Sequence, residues 1–250
     1  MMRVCLIFAM RAEAQPLIEY YGLEEQDGFF SPLPCQLYSS PKEGGQEGAA
    51  LFVVINGSDR GRDLIGCEAA AVTTQAAIMK LQPDLVISAG TCGGWQRYGA
   101  RVGQTYVADG VMFHDRRVPG DNEWDTQGLG NYKVWEGSWR IAEALGLPMG
   151  KVTTGSSFDL SPEEDQLIDE NGGRLKEMEG AAVAFVCSLY KVPVMLVKTV
   201  TNLRDAAPAQ TLPREGGDSQ IDSFQENLKR ASLSLRETLV EILSGVIEEL

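Results

Sequence analysis

Basic residues are scarce in this chain. It has 22 Lys and Arg residues against 35 Asp and Glu residues, a formal net charge of -13 over 250 residues. A nucleic-acid partner requires a basic face, and an anionic membrane surface attracts clustered cations. The composition therefore argues against nucleic-acid and membrane partners.

Histidine and paired cysteine motifs are also nearly absent. His114 is the single histidine, and the five cysteines are widely spaced without a C-x-x-C pair. Zinc sites are built from several Cys and His ligands, so the sequence predicts no metal site. Cys92 lacks an obvious histidine base and is a poor candidate for a nucleophile. An odd number of unpaired cysteines favours a reducing, cytoplasmic location.

Long apolar runs are missing as well. The N-terminal stretch Val4–Met10 is followed at once by Arg11 and Glu13, with no small-residue cleavage site. It is too short for a signal peptide of the usual build and far too short to span a bilayer. No linker rich in Pro, Gly or Ser divides the chain, so residues 1–250 are predicted to form one domain.

Strand and helix patterns alternate along the chain. Strands are predicted at Val4–Met10, Leu51–Asn56, Leu85–Ser88, Gln104–Phe113, Lys151–Thr154 and Val192–Val200. Helices are predicted at Ala12–Tyr21, Cys67–Leu81, Ser138–Leu145, Pro162–Asp169 and Gly180–Tyr190. This alternation indicates the α/β class, with a largely parallel sheet covered on both faces.

Three remaining segments have simpler patterns. The segment Ile221–Leu250 is predicted to be a helix that packs on the sheet, because one of its faces carries Leu228, Leu235, Leu239, Ile242 and Val246. Ser58–Leu64 and Pro119–Tyr132 are rich in glycine and charge and are interpreted as loops. The second loop is a candidate cover for a site.

Polar residues or glycines follow three predicted strands. Glu13 follows the first strand, and the run Gly90-Thr91-Cys92-Gly93-Gly94 follows the strand Leu85–Ser88. Asn202 follows the strand Val192–Val200, and Glu179 lies at the start of the helix that precedes this strand. Ligands in open α/β sheets bind at the carboxyl ends of strands, so these residues predict one composite pocket.

Each of these features also has a plainer interpretation. The glycines of Gly90–Gly94 fit a tight turn, which is the plainer interpretation. In the functional interpretation, backbone N–H groups from Gly90 onward contact substrate or cradle a phosphate. Glu13 alone fits a solvated helix residue. Glu179 alone fits a carboxylate that is favoured by the helix dipole.

Several short segments together carry a family resemblance. They are Ala9–Leu17, Gln82–Asp84, Ala89–Gly94, Phe113–Arg117, Met178–Ala184 and Lys198–Thr201. In them the chain resembles the 5'-methylthioadenosine nucleosidases, particularly the plant type, of the nucleoside phosphorylase superfamily. The resemblance implies a three-layer α/β/α sandwich with a central twisted mixed sheet, and a homodimer. It implies hydrolysis of 5'-methylthioadenosine in methionine salvage, with water as co-substrate and no metal or organic cofactor. Acceptance of S-adenosylhomocysteine would depend on the room around the 5' substituent.

The resemblance also assigns catalytic residues. Hydrolysis of an N-glycosidic bond passes through an oxocarbenium-like ribosyl cation and needs a base for water and an acid for the departing purine. Glu13 matches the family's water-activating carboxylate. Thr91 and Lys198 match neighbours of that water.

Substrate contacts follow from the same resemblance. Glu179 matches the carboxylate that accepts hydrogen bonds from the ribose hydroxyls, and Met178 matches the residue against the sugar. Phe158 matches the lining of the purine pocket, where its ring can stack on the base. Phe113 and His114 match a segment that the family lends across the dimer, near the 5' substituent.

Asn202 is the most important departure from the family pattern, which carries an acidic Asp at this position. That Asp protonates purine N7, and an amide cannot take over the role, which is worth roughly 10² to 10⁴ in rate. Two further features differ from the family pattern. Ser156 stands where the family commonly has Asp, and the charged stretch Ser58–Leu64 is extra.

Three functions therefore stay open. The first is a methylthioadenosine nucleosidase that is impaired at Asn202. The second is a 6-oxopurine nucleoside phosphorylase, in which Asn202 contacts O6 and N7 and Arg11 faces phosphate. The third is a non-catalytic nucleoside-binding or storage protein, against which the presence of Glu13, Glu179 and Lys198 argues.

Overall fold

The computed structural model describes residues 2–40, 49–118, 122–205 and 219–249. Its strands are β1 (Met2–Phe8), β2 (Glu24–Glu25), β3 (Gln36–Ser39), β4 (Ala49–Ile55), β5 (Ser58–Asp59), β6 (Arg62–Asp63), β7 (Leu85–Gly94), β8 (Thr105–Phe113), β9 (Met149–Thr154), β10 (Gly173–Glu177) and β11 (Val194–Leu203). Its helices are α1 (Arg11–Tyr21), α2 (Cys67–Leu81), α3 (Asn122–Leu129), α4 (Gly137–Leu145), α5 (Pro162–Glu170), α6 (Gly180–Tyr190) and α7 (Ser219–Glu249), with a short 3-10 turn at Gln96–Tyr98.

A nine-stranded mixed sheet forms the middle layer, in the order β10-β9-β8-β11-β7-β1-β4-β3-β2. Strand β1 runs parallel to β4 and β7, and β11 runs parallel to β7 but antiparallel to β8. Helices cover both faces. The α/β sandwich with a mixed central sheet is thus confirmed.

Side chains of the central strands alternate between two apolar clusters, as the pleat of a doubly covered sheet requires. From β1, Val4, Leu6 and Phe8 pack with residues of α1, α4 and α7. Cys5 and Ile7 pack on the opposite face with residues of α2 and α6. This alternation fixes the register of β1 in the sheet.

The C-terminal helix packs as predicted. Leu235, Leu239 and Ile242 of α7 are fully buried in the cluster that contains α1. Leu250, at the end of the predicted helix, lies outside the described residues.

Several local predictions are wrong in detail. The first strand ends at Phe8, and Met10 instead precedes helix α1. The segment Ser58–Leu64 contains the hairpin β5–β6 rather than an irregular loop. Helix α3 occupies part of Pro119–Tyr132, of which residues 119–121 lie outside the described ranges.

Strand β10 was not predicted, and it shapes the site. It pairs in parallel with β9 and, at its other side, in antiparallel with β7. The second pairing sets Lys176 opposite Gly93 and Leu175 opposite Gly94. Because β10 pairs with β7 as well as with β9, the end of β10 lies at the carboxyl end of β7.

Candidate active site

A cleft with a cavity volume of about 120 Å³ opens at the carboxyl ends of β1, β7, β10 and β11. We call it the central cleft. It is lined by Ala9, Met10, Glu13, Ile65, Thr91, Cys92, Gly93, Phe158, Lys176, Glu177, Met178, Glu179, Thr201, Asn202, Arg204 and Phe224. The predicted composite pocket is therefore present, and it includes six predicted site residues: Glu13, Thr91, Phe158, Met178, Glu179 and Asn202.

Glu13 is buried and held by hydrogen bonds on both carboxylate oxygens. Its Oε1 accepts from the Thr91 backbone N–H and from the Thr91 hydroxyl, each at 2.7 Å. Its Oε2 accepts from the Met10 N–H at 3.2 Å. Burial raises the pKa of Glu13 above its ordinary value, although the Thr91 hydrogen bonds and the Lys198 charge oppose the shift. A fixed carboxylate of raised basicity is suited to accept a proton.

The glycine segment lies within β7 and is not a turn. Its glycines make room for neighbours: a Cβ on Gly90 would lie 3.2 Å from Glu13 Oε1, and one on Gly93 would lie 2.6 Å from Arg204 Cδ. Gly90 is part of a small cavity behind the central cleft, not of the cleft itself. It therefore acts as a spacer for Glu13, and a phosphate cradle is not formed here.

Glu177 was not predicted, yet it organises the polar core of the site. Its Oε2 accepts from the Gly180 N–H at 2.7 Å and the Glu179 N–H at 3.1 Å, so it caps helix α6. It also pairs with Lys198 at 2.9 Å, where both side chains are 2% exposed. The helix-dipole role considered for Glu179 thus belongs to Glu177.

Charges in this core shift the pKa values strongly. Burial opposes the ionisation of Glu177, but the Lys198 charge and the hydrogen bonds from Thr154 and Gly180 outweigh it and lower its pKa. Burial likewise opposes the charge of Lys198, but Glu177 and Glu179 outweigh it and raise the Lys198 pKa. The structure therefore favours a charged Glu177–Lys198 pair.

Glu179 turns away from its own helix. Its Oε1 accepts from the Gly66 N–H, just before α2, at 2.7 Å. Burial of the carboxyl raises the pKa of Glu179 to about 7, with repulsion from Glu177 adding and attraction to Lys198 opposing. Glu179 thus changes its charge near neutral pH.

Lys198 does not reach the central cleft and lies in the small cavity behind it. Glu13, Glu179 and Lys198 all line this cavity, together with Asn56 and Ser88. Both carboxylates to which the resemblance assigns roles therefore border this cavity.

Asn202 lines the central cleft together with Phe158, Lys176 and Arg204. Asn202 is 2% exposed, and its Oδ1 lies 3.0 Å from the Thr201 hydroxyl. The guanidinium of Arg204 lies 5.9 Å from the Phe158 ring centroid. Phe224 of α7, also not predicted, packs edge-on to Phe158 at 5.7 Å between centroids.

Phe113 and His114 do not line the central cleft of their own chain. Phe113 lies in a separate depression with residues of α2 and α6. His114 is buried against Gly155, where a Cβ would lie 2.2 Å from its Nε2. Burial lowers the pKa of His114 to about 4, with the Lys176 charge adding to the effect, so the imidazole is neutral.

Other chemistries considered from the sequence find no support in the cleft. Cys92 is buried, and burial raises the pKa of its thiol, which keeps it neutral and unreactive. Arg11 lies beside Glu25, at 4.0 Å, and over the Tyr38 ring rather than in the central cleft. Among the described residues, no group of three or more potential ligands forms a metal site.

Comparisons of the sequence and of the structure with known proteins point to the same family. The model of the phosphorylase superfamily matches residues 3–244. A 5'-methylthioadenosine nucleosidase of Arabidopsis thaliana is 36% identical over 249 residues, covering 97% of this chain and 86% of the relative. A 5'-methylthioadenosine/S-adenosylhomocysteine nucleosidase of the same plant is 35% identical over 245 residues, covering 97% and 91%. The solved apo structure of an Arabidopsis thaliana 5'-methylthioadenosine nucleosidase matches with a TM-score of 0.88 and 34% identity, covering 100% of this chain and 99% of that one. The chain therefore belongs to the phosphorylase superfamily and, within it, to the nucleosidases that hydrolyse N-glycosidic bonds.

Proposed function

We propose that this protein hydrolyses the N-glycosidic bond of 5'-methylthioadenosine to adenine and 5-methylthioribose, slowly because of Asn202. The observation that carries this proposal is the meeting of Glu13, Glu179 and Asn202 around one cleft. It also draws on the plant relatives of that name, which are more than a third identical to it over nearly the whole chain.

Glu13 activates the attacking water in this proposal. The polar cavity shared by Glu13, Glu179 and Lys198 is where the water would be held. Its proton passes to Glu13, whose raised pKa suits a general base. Thr91 contributes by fixing Oε1 of Glu13 through two hydrogen bonds.

Glu179 and Met178 hold the ribose. Both line the central cleft beside Glu13. The Glu179 carboxylate accepts hydrogen bonds from the two ribose hydroxyls, and such charge-assisted bonds are about twice as strong as neutral ones. The purine then extends toward Phe158, which stacks on it.

The test of this function is the release of free base. Excess enzyme is incubated with 5'-methylthioadenosine in phosphate-free buffer, and adenine is quantified by chromatography against a sample without enzyme. Slow accumulation of adenine supports the proposal. Tight nucleoside binding without any adenine release after long incubation would instead support the binding-protein alternative.

Glu179 should give the site a pH-dependent affinity. The group is protonated below pH of about 7, and the protonated form loses acceptor capacity, so nucleoside affinity should rise as pH increases through that value. Calorimetric titrations with 5'-methylthioadenosine below and above neutrality measure this. Glu179→Gln should flatten the pH dependence.

Free adenine is the internal control for this assignment. Glu179→Ala should weaken the binding of 5'-methylthioadenosine far more than that of adenine, which has no ribose. Equal losses for both ligands would show that Glu179 does not hold the sugar.

We also propose a homodimer that forms through α2 and α6. Large apolar side chains are exposed there, including Met79 and Leu189, both at 63%, and Phe185 at 38%. Gln75 of α2 bonds the Tyr190 hydroxyl of α6 at 3.2 Å, so the two exposed faces are neighbours. Exposed patches of this kind mark protein interfaces. The depression that contains Phe113 borders this face, which would let it contribute across the interface.

Leu189→Glu should therefore convert the dimer to a monomer in analytical ultracentrifugation, because a charge in an apolar interface is costly to bury. Leu233→Glu is the matched control, since Leu233 is also exposed, at 41%, but lies on α7. A Leu189→Glu protein that sediments like the parent would contradict this interface.

A cytoplasmic location is proposed on the state of the cysteines. All five are free thiols in the structure, which suits a reducing compartment. Among the described residues, no helix has the length and apolar composition needed to cross a membrane.

A further inference from the structure

The small cavity behind the central cleft is also lined by Asn56, a residue that the sequence patterns do not single out. The cavity volume is about 10 Å³, which is close to the room that one water molecule needs. Four residues line both this cavity and the central cleft, namely Ala9, Glu13, Thr91 and Glu179. The two spaces therefore adjoin, and a water in the cavity is next to a nucleoside in the cleft.

The side-chain amide of Asn56 has a fixed orientation. The backbone N–H of Asn56 donates to the Phe8 carbonyl at 3.0 Å, which places the residue beside the end of β1. Its side-chain Nδ2 donates to the Leu64 carbonyl at 2.9 Å. A backbone carbonyl only accepts hydrogen bonds, so the amide nitrogen faces Leu64 and the amide oxygen is directed elsewhere.

That amide oxygen is a buried acceptor. Asn56 is 1% exposed, and its Oδ1 has no hydrogen-bond partner among the described residues. Buried polar atoms that lack a protein partner are commonly satisfied by an ordered water. Since Asn56 lines a cavity with the room of one water, its Oδ1 is suited to accept a hydrogen bond from that water.

The carboxylate of Glu13 can take the other proton of such a water. Oε1 of Glu13 already accepts two hydrogen bonds from Thr91, whereas Oε2 accepts one, from the Met10 N–H at 3.2 Å. A carboxylate oxygen has two lone pairs, so Oε2 has capacity for one more donor. Oε2 is therefore the oxygen that receives the proton in the proposed hydrolysis.

The remaining polar groups of the cavity have other tasks. Glu179 accepts from the Gly66 N–H at 2.7 Å, and in the proposed function its carboxylate also holds the ribose hydroxyls. Lys198 can donate a hydrogen bond to a water but cannot accept one. Asn56 is thus the residue best placed to accept the second O–H of the water.

We propose that Asn56 is a further catalytic residue, which holds the attacking water through its Oδ1. This inference rests on the proposed hydrolysis and adds a group that touches the reacting oxygen. When the C1'–N9 bond breaks, its electron pair leaves with the purine. The water oxygen bonds to C1', one proton passes to Glu13, and the O–H held by Asn56 becomes the hydroxyl of the sugar. The purine takes its proton from solvent.

The same arrangement discriminates against methanol as a nucleophile. Methanol has a single O–H, which Glu13 would accept, so its methyl group would lie against Asn56 Oδ1. That contact leaves the buried oxygen unsatisfied and needs more room than one water occupies. The parent should therefore release free sugar and little methyl glycoside in a water–methanol mixture, and a smaller apolar side chain at position 56 should admit methanol.

The experiment follows single-turnover cleavage of 5'-methylthioadenosine by excess enzyme, with and without added methanol. Asn56→Ala should slow hydrolysis by roughly 10-fold, the worth of one hydrogen bond, while calorimetry shows little change in nucleoside affinity. It should also raise the fraction of methyl 5-methylthioriboside several-fold. An Asn56→Ala protein with the rate of the parent, or with its product ratio, would overturn the inference.

Two further variants isolate the role of the amide oxygen. Asn56→Asp keeps an acceptor oxygen without enlarging the cavity, so its product ratio should stay that of the parent. The same rise in methyl glycoside as in Asn56→Ala would instead trace the effect to the lost Leu64 bond and refute the inference. Asn171→Ala is the matched control, because Asn171 Nδ2 also donates to a leucine carbonyl, of Leu167, at 2.9 Å but outside the cavity. Its rate and product ratio should equal those of the parent.

A crystal structure separates this inference from the proposed function. If the parent releases no adenine, the proposed function fails, and the parent crystallised with uncleaved 5'-methylthioadenosine then decides the inference. A water within hydrogen-bond distance of both Asn56 Oδ1 and Glu13, facing C1', supports it. A cavity without that water, or a water that Asn56 does not contact, refutes it.

Discussion

Asn202→Asp should raise the turnover of 5'-methylthioadenosine by roughly 10² or more. Asn and Asp have nearly the same shape, so Phe158 and Gly93 around the position can keep their places. A carboxyl can be protonated and deliver its proton to purine N7, whereas an amide donates only an ordinary hydrogen bond. The measurement is the single-turnover rate of adenine release by parent and variant.

Asn131→Asp is the matched control for this exchange, because Asn131 is exposed and its positive φ of 41° is tolerated by Asp. Its turnover should equal that of the parent. Rapid cleavage of methylthioadenosine by the parent, with no gain from Asn202→Asp, would show that position 202 does not face N7.

Glu13→Gln should abolish hydrolysis and leave nucleoside binding largely intact. Removing a base costs transition-state stabilisation rather than uniform binding, roughly 10² to 10⁴ in rate. The change is best measured in the Asn202→Asp protein, where the starting rate is high enough for the loss to be quantified, with rates normalised to folded protein.

Glu19→Gln serves as the control on the same helix, since Glu19 is exposed and its carboxylate accepts a hydrogen bond from the Gln15 side chain. In the Asn202→Asp protein, Glu19→Gln should leave the rate of 5'-methylthioadenosine hydrolysis unchanged. A Glu13→Gln enzyme of unchanged turnover would exclude Glu13 as the base.

Local sequence patterns were sufficient for the central strands and for most of the cleft. Strands β7 and β11 begin with the apolar runs Leu85–Ile87 and Val194–Val197. The rule that ligands bind at the carboxyl ends of strands correctly grouped Glu13, Thr91, Glu179 and Asn202 around one cleft. The α/β class followed from the alternation of strands and helices, whereas the mixed sheet was implied by the family resemblance.

Strand β10 shows why the remainder could not be predicted. Its sequence, Gly-Arg-Leu-Lys-Glu, has the polarity of a loop, and it becomes a strand only through pairing with β9 and β7. Those pairings join distant parts of the chain, so no local pattern reports them. Glu177 and Lys176 were missed for this reason, and the capping role was assigned to Glu179 instead.

The glycines of β7 illustrate the same limit. As a string they fit a turn or a phosphate-binding loop, but their function depends on Glu13 and Arg204, which approach from other elements. Only the assembled sheet shows that close approach, rather than backbone freedom, is what requires glycine at Gly90 and Gly93.

The nature of the sugar product tests hydrolysis most directly. Excess enzyme is given 5'-methylthioadenosine with and without a saturating concentration of inorganic phosphate, and the sugar is identified by mass spectrometry. A nucleosidase with Glu13 as base should yield free 5-methylthioribose at the same rate in both reactions. Formation of 5-methylthioribose 1-phosphate, or cleavage only when phosphate is present, would contradict hydrolysis and make the enzyme a phosphorylase.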